Sequence, residues 1–526
     1  MTRPDTLHTL ILKMDVNEKR YFKLNGALQK KDSNMMRLFE FMSKMKEYDE
    51  ASIRENFAGE KFLDQLAVTK NHVFNAILRS MRGYYIKRDI DLQLQGALQD
   101  VRFLFEKDML DHCLNELRAA KKVAVDNERH LIRLSILDWE ARLLADSRYA
   151  DADEADIDLI SEEYYEVLGL LQNQREYIDL QSKIFNNYYK IGLKRQNTDY
   201  KTNDQIVNQF ALKDESRAQT FVAKCCYLNI HALYRKVNND WEGAYSFRIR
   251  LLELMEAHFD EYGYMVGPER LFAAINNLIP LCVRLGRYDE ANAYLHQQRN
   301  LFSRYRNHAE TIESSIHFET NALVAELAIC VKLGDRKRGE KAVRASLILL
   351  DSFNEEHKAF GRMHLMFNMA YYYFADRQFN KAIRWINNVL NDKKITSNED
   401  LHATCRILAM MTHFELSKGD LLDYLARGTA KYLRKLEGIY AFEEAIMQFM
   451  RLYAKTRDFD ELTELTSLRD RLLTLPYEPG ERNALSVIDI PKWIEARLAK
   501  KPMLDLVSQS KSEISPQPNS EPEENQ

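Results

Sequence analysis

The residues best able to do chemistry in this 526-residue chain are scattered rather than assembled. Thirteen histidines occur, yet none forms the HExxH pair that holds zinc on one helix face. There is also no CxxC, no Gly-rich phosphate loop and no Gly-x-Ser-x-Gly elbow. His364 and His413 fall in helix-periodic runs and read as surface or groove residues. The acidic run at 151–158, with Glu162 beyond it, has the oxygen density of a calcium loop. However, Ala155 and Leu159 stand where oxygen ligands are needed, and Asp156 stands where the loop needs glycine. The run reads instead as an exposed loop feeding a helix N-terminus, where carboxylates favour the dipole. Of six cysteines, Cys113, Cys282, Cys330 and Cys405 sit singly in helical patterns as small core residues, and Cys225 and Cys226 are adjacent, which suits neither a staple nor a metal site. The expectation is no catalytic residue, no metal and no cofactor: a non-enzymatic protein that works through its surface.

The elements that present this surface are helix pairs. In RMHLMFNMAYYYFADRQFNKAIRWINNVLN, residues 362–391, Met366, Met369, Ala370 and Tyr373 share one helical stripe. Phe379, Ala382, Ile383, Ile386 and Val389 share another, beyond the break at Ala375, Asp376, Arg377 and Gln378. The pattern predicts a helix, a tight turn and an antiparallel helix, with small Ala370 and Ala382 allowing close backbone approach. One such pair cannot bury its own apolar faces and needs neighbours of the same kind. A second copy, LIPLCVRLGRYDEANAYL, and a third around Ala232, Trp241 and Ala244 supply them. Taking the turn position as a ruler, Met109, Tyr149, Arg195, Trp241, Tyr288, Arg336, Phe379, Leu421 and Phe459 follow at steps of 38 to 48 residues.

With Gly286, Tyr288 and Ala291 at the turn, this unit resembles the tetratricopeptide repeat (TPR), over roughly residues 95–475. The TPR period is about 34, so these units carry longer helices or loops; armadillo and HEAT solenoids, with periods of about 40–47, are the alternative. The resemblance implies an all-α, TPR-like α-solenoid of antiparallel helix pairs, whose first helices line a concave groove that binds a protein or peptide. It places Asn277 and Asn368 where many TPRs keep an asparagine for the ligand backbone, Phe367 and Tyr371 beside it, and Arg284 as a cation near the turn. The aromatic runs at 371–374 and at Tyr188 and Tyr189 carry more rings than one helix face buries.

Composition fits helix almost throughout. Hydrophobic residues are 45%, charged residues 29%, and no proline lies between Pro4 and Pro268. Pro280, inside a helical pattern, predicts a kink. Net charge is −4, but residues 1–90 carry a local +5 against −9 for the remainder, which sets off a separate N-terminal helical domain at 1–90. Within it, LAVTKNHVFNAI resembles a helix-turn-helix core, with Ala67, Val68 and Thr69 at the turn and cap, and Val73 and Ile77 buried. That resemblance implies that Lys70, Asn71, Asn75 and Arg79 project outward as donors to DNA, the alternative function being a DNA-binding transcriptional regulator.

Residues 91–475 form the repeats in this reading, with a polar inter-helix loop at 196–214. Residues 476–507 form a C-terminal capping helix in which Trp493, Ile494 and Leu498 seal the last apolar edge. The Ser/Pro/Glu-rich residues 508–526 form a disordered tail. No run approaches the roughly 18 apolar residues of a membrane span, and no signal peptide opens the chain, so the expected location is cytoplasmic.

Overall fold

The computed structural model describes residues 5–506, apart from 30–33, 87–88, 147–153, 192–199, 260–265, 306–311, 354–358, 393–398, 437, 476–480, 482–484 and 486. The tail at 508–526, Tyr149 and Arg195 therefore lie outside the described residues. Among the described residues the fold is all-helical, with no strand beyond one isolated bridge between Phe259 and Val266. It divides into two compact units, Met1–Gln172 and Asn173–Phe259 with Val266–Gln526, and the division falls inside one long helix.

The first unit opens with α1 (Thr6–Lys13), α2 (Val16–Gln29), α3 (Asn34–Met42), α4 (Glu50–Asn56) and α5 (Leu66–Tyr85). Leu7, Ile11, Phe22, Phe39, Met42, Ile53, Phe57, Val73 and Ile77 form their shared core, with α5 packed against α1, α2 and α3. Then follow α6 (Ile90–Phe105), α7 (Leu110–Asp126), α8 (His130–Asp146) and the first part of α9 (Glu154–Ile191). Lys121 ties α7 to Glu140 and Glu163 at 2.8 and 2.7 Å, and Arg133 meets Glu163 at 3.0 Å.

The second unit is an α-solenoid of antiparallel pairs. After α10 (Tyr200–Val207) come the pairs α11 (Phe221–Val237) and α12 (Trp241–Ala257), α13 (Pro268–Arg284) and α14 (Tyr288–Tyr305), α15 (Ile312–Leu333) and α16 (Arg336–Asp351). Next are α17 (Ala359–Ala375) and α18 (Phe379–Leu390), α19 (Glu399–Glu415) and α20 (Gly419–Lys435), and α21 (Ala441–Lys455) and α22 (Glu461–Thr474); α23 (Ile490–Leu498) closes the described chain. Each helix packs on the next, and the first helices of successive pairs, α13, α15, α17, α19 and α21, also touch one another. Ala370 and Ala382 are fully buried where α17 meets α18. All six cysteines are buried, and none is in a disulfide.

The turn ruler lands on helix starts. Trp241, Tyr288, Arg336 and Phe379 are the first residues of α12, α14, α16 and α18, and Met109 immediately precedes α7. Leu421 is the third residue of α20, and Phe459 lies two residues before α22. The cause is one repeated backbone device. Asp108, Asn239, Gly286, Gly334, Arg377 and Ser417 each take a left-handed φ of 54 to 73° two residues before the second helix. The following N–H then bonds back across the helix end: Met109 to Leu104, Asp240 to Arg235, Arg287 to Cys282, Asp335 to Cys330, Gln378 to Tyr373 and Lys418 to His413, at 2.8 to 3.1 Å. These bonds satisfy carbonyls that a helix end leaves orphaned, as in a Schellman cap.

One expectation changes. The stretch at 196–214 is not a plain loop: it contains α10 and a 3-10 turn at Phe210–Leu212, where Ala211 and Leu212 are buried, Tyr177 donates to the Ala211 carbonyl, and a ring nitrogen of His231 meets the Leu212 carbonyl at 3.1 Å. Its polar composition hid four buried residues, Asn203 and Ile206 among them. Pro280, where a kink is expected, lies inside α13, which runs on to Arg284.

Gly286 has open space where a Cβ would point, so its role is conformational alone. Gly286→Ala is expected to cost about 1 kcal/mol, the strain of an L-residue in the left-handed region. Ser417→Gly, at an exposed turn with the same geometry, is expected to gain about 0.5–1 kcal/mol. Urea unfolding of the two variants against the parent checks both signs.

Candidate binding face

The first helices of the pairs each turn one stripe away from the core. On α13 that stripe holds Ala273, Asn277, Pro280 and Arg284, all exposed. Arg284 lays its guanidinium 4.9 Å from the centre of the Trp241 ring, and burial against its surroundings lowers its pKa. Pro280 has no N–H, so the Asn276 carbonyl one turn earlier loses its usual helical donor, while the Asn276 side chain accepts from Gln298 at 3.1 Å. Asn277 therefore sits next to an acceptor that the helix itself does not saturate. On α15 the corresponding stripe is His317, Asn321, Val324, Ala328 and Lys332, all partly or fully exposed.

On α17 the same face is covered. Phe367 is 2% exposed and Tyr371 6%, their rings nearly parallel with centroids 6.4 Å apart. These two rings, expected on an open groove, are packed away because the C-terminal segment returns over them. The Asp489 N–H donates to the Tyr371 hydroxyl at 2.8 Å, and burial pushes that phenol's pKa well up. Lys332 meets the Asp489 carboxylate at 3.0 Å, Arg336 meets Asp505 at 3.1 Å, and Arg377 donates to the Lys500 carbonyl at 2.7 Å. Trp493 and Ile494 are buried, as the apolar spacing of 490–498 predicts, with Phe374 and Phe414 against the indole. The Glu415 carboxylate accepts from the Trp493 indole at 2.7 Å and from Arg497 at 3.0 Å, and Arg497 also holds Glu461. Asn368, half-buried, donates its amide to the His364 carbonyl at 2.8 Å. Of the five groove residues, then, Asn277 and Arg284 are exposed on one stripe and Asn368 is partly so, while Phe367 and Tyr371 are not available to a ligand as packed.

In the first unit, α5 begins at Leu66, so Ala67 and Val68 are helical rather than a turn. Thr69 is the fourth residue of α5, and its hydroxyl donates to the Gln65 carbonyl at 3.2 Å instead of capping the helix. The preceding Lys61–Gln65 is a 3-10 turn that runs straight into α5. The turn geometry expected for a helix-turn-helix is thus replaced by continuous helix. Asn71, Asn75 and Arg79 are exposed one turn apart, with the Asn75 amide donating to the Asn71 carbonyl at 3.0 Å. Lys70 points the other way. Its ammonium bonds Asp5 at 2.7 Å and the Tyr48 hydroxyl at 2.8 Å, and lies 5.0 Å from the Tyr48 ring centre.

Sequence reasoning missed the residues that cover α17 and α19, namely Asp489, Arg497 and Asp505. Their contacts to Tyr371, Glu415 and Arg336 span 118, 82 and 169 residues of chain and leave no local pattern. No group of His, Cys, Asp and Glu suited to a metal occurs among the described residues, and no described helix is long and apolar enough to cross a membrane. No protein-family profile matches the chain, and no curated protein matches it in sequence.

Two outcomes follow from this geometry. Lys70→Ala is expected to cost about 1–2 kcal/mol, between the values of exposed and fully buried pairs. Asn71→Ala and Arg79→Ala should stay within about 0.5 kcal/mol; denaturant titration separates them. On α17, burial pulls the His364 pKa down to about 4 from an ordinary 6.5. The unfolded chain therefore binds this proton more readily than the folded one. Its contribution is fully present above pH 6.5 and is lost as pH falls toward 4. His364→Gln should flatten the fall in melting temperature between pH 6.5 and 5, followed by circular dichroism.

Proposed function

We propose that the second unit is a TPR-like, non-enzymatic scaffold that holds a segment of a protein partner along the open stripe of α13, flanked by α15. The observation that carries this reading is the contrast between neighbouring first helices. On α17 the equivalent surface is covered by the chain's own C-terminal segment, with the Tyr371 hydroxyl already taken by a backbone N–H. On α13 the stripe stays open and presents Asn277, the under-donated Asn276 carbonyl and Arg284. An amide, a backbone acceptor and a cation one to two turns apart match what an extended peptide backbone offers: alternating N–H and C=O groups needing partners. The Trp241 ring under Arg284 holds that cation in place without neutralising it. In this reading the basic segment at residues 1–90 is a helical docking module. The turn-to-helix change at Ala67 and the engagement of Lys70 weigh against the DNA-binding alternative.

The test is quantitative pull-down from the native cell with intact protein, the Asn277→Ala/Arg284→Ala double variant and an Asn71→Ala/Arg79→Ala control. A partner retained by the parent and the control but recovered roughly tenfold less by the α13 variant, at equal melting temperature, is the expected result. It corresponds to the loss of one or two hydrogen bonds to a partner. Equal recovery of every partner by the α13 variant overturns the reading.

A further inference from the structure

Several guanidinium groups in the second unit are matched to carboxylates. Arg250 pairs with Glu215, Arg287 with Glu242, Arg299 and Arg338 with Glu326, and Arg336 with Asp376. Arg248 on α12 meets no carboxylate among the described residues. Its side chain folds back onto α11, where it donates to the neutral side-chain oxygen of Asn229. Burial draws its pKa down to about 10, a shift that the phenol of Tyr188 on α9 opposes. A guanidinium withdrawn from water without an anion is costly and is seldom kept for stability alone.

The surroundings continue the pattern. Two turns along α11 from Asn229, the Lys236 ammonium donates to the Tyr188 hydroxyl at 3.3 Å and lies 5.4 Å from the ring centre. No carboxylate pairs with it among the described residues. Arg248, Asn229, Lys236 and Tyr188 are each half-buried and so retain surface that a small solute can reach. Three helices thus gather a guanidinium, an ammonium, an amide and a phenol, a set rich in donors and poor in negative charge. Oxyanions are the ligands such a set recognises, through charge-assisted hydrogen bonds.

We propose that the corner formed by α9, α11 and α12 is a binding site for an oxyanion, the carboxylate or phosphate of a ligand, with Arg248 as its principal contact and Asn229, Lys236 and Tyr188 around it. The site does not depend on the α13 stripe, and Asn277→Ala leaves it intact.

Thermal melting of the full chain with inorganic phosphate, and separately with glutarate, against sodium chloride of equal ionic strength tests the site. The parent is expected to show a saturable rise in melting temperature beyond the chloride control. A rise with phosphate alone assigns a phosphoryl ligand, and a rise with glutarate alone a carboxylate. Arg248→Met should weaken the apparent affinity roughly tenfold or more, while its melting temperature without added anion stays level with the parent or rises, because an uncompensated cation has been removed. Arg250→Met serves as the charge-matched control and keeps the response. Should Arg248→Met fail to fold, Lys236→Met with Tyr188→Phe carries the same expectation of a weakened response. The proposal is overturned if the parent shows no saturable rise with either anion, or if the responding anion acts equally on the Arg248 variant.

Discussion

The solenoid depends on stopping a helix at a set residue and sending the chain straight back. Helical propensity alone does not achieve this, because the sequence on either side of each turn is a good helix former. A single residue in the left-handed region ends the first helix, and a backbone bond from the following N–H to a carbonyl five residues earlier locks the end. Two of these positions use glycine, Gly286 and Gly334. The others place Asp108, Asn239, Arg377 and Ser417 there and accept the strain that a side chain brings. Asp240 and Asp335 then cap the next helix, bonding Gly243 N–H at 2.8 Å and Arg338 N–H at 3.0 Å. Stop and start signals are thereby separated by a single residue, and antiparallel packing follows from the lack of slack.

Once the pairs stack, each first helix has a stripe that no other helix of its own pair covers. What happens to that stripe differs along the unit. Over α17 and α19 it is closed by Trp493 and Ile494, with Arg497 buttressed by two acids. Over α13, which carries an internal proline, it stays open. A stack of like units thus acquires chemically unlike ends.

The fold was legible because it is written in local pattern. Helix-period stripes, the turn residues and the spacing of Trp241, Tyr288, Arg336 and Phe379 are all short-range signals, and the helix starts fall where those residues stand. Sequence reading failed where local pattern and tertiary contact disagree. The residues at 196–214 look like a loop because their polarity is real, yet Leu212 is buried. Thr69 has the residue type of a cap, but the helix starts before it, at Leu66. Phe367 and Tyr371 have the type and stripe of groove residues, and only a contact 118 residues away shows that the groove is closed there. Arg248 was invisible because an unpaired cation is defined by what is absent around it, which no spacing in the sequence records.

The return of the C-terminal segment has a consequence for how the protein is made. A plain stack of repeats can consolidate as it leaves the ribosome, since each unit needs only the one before it. Here Lys332 must wait for 157 further residues before Asp489 exists, and Arg336 for 169 before Asp505 does. Until then the faces of α17 and α19 that will receive Trp493 are exposed on the nascent chain. The last pairs are thus completed by residues 489–505 rather than in the order in which they emerge, and a chain truncated before Ile490 would present that apolar face to whatever is nearby.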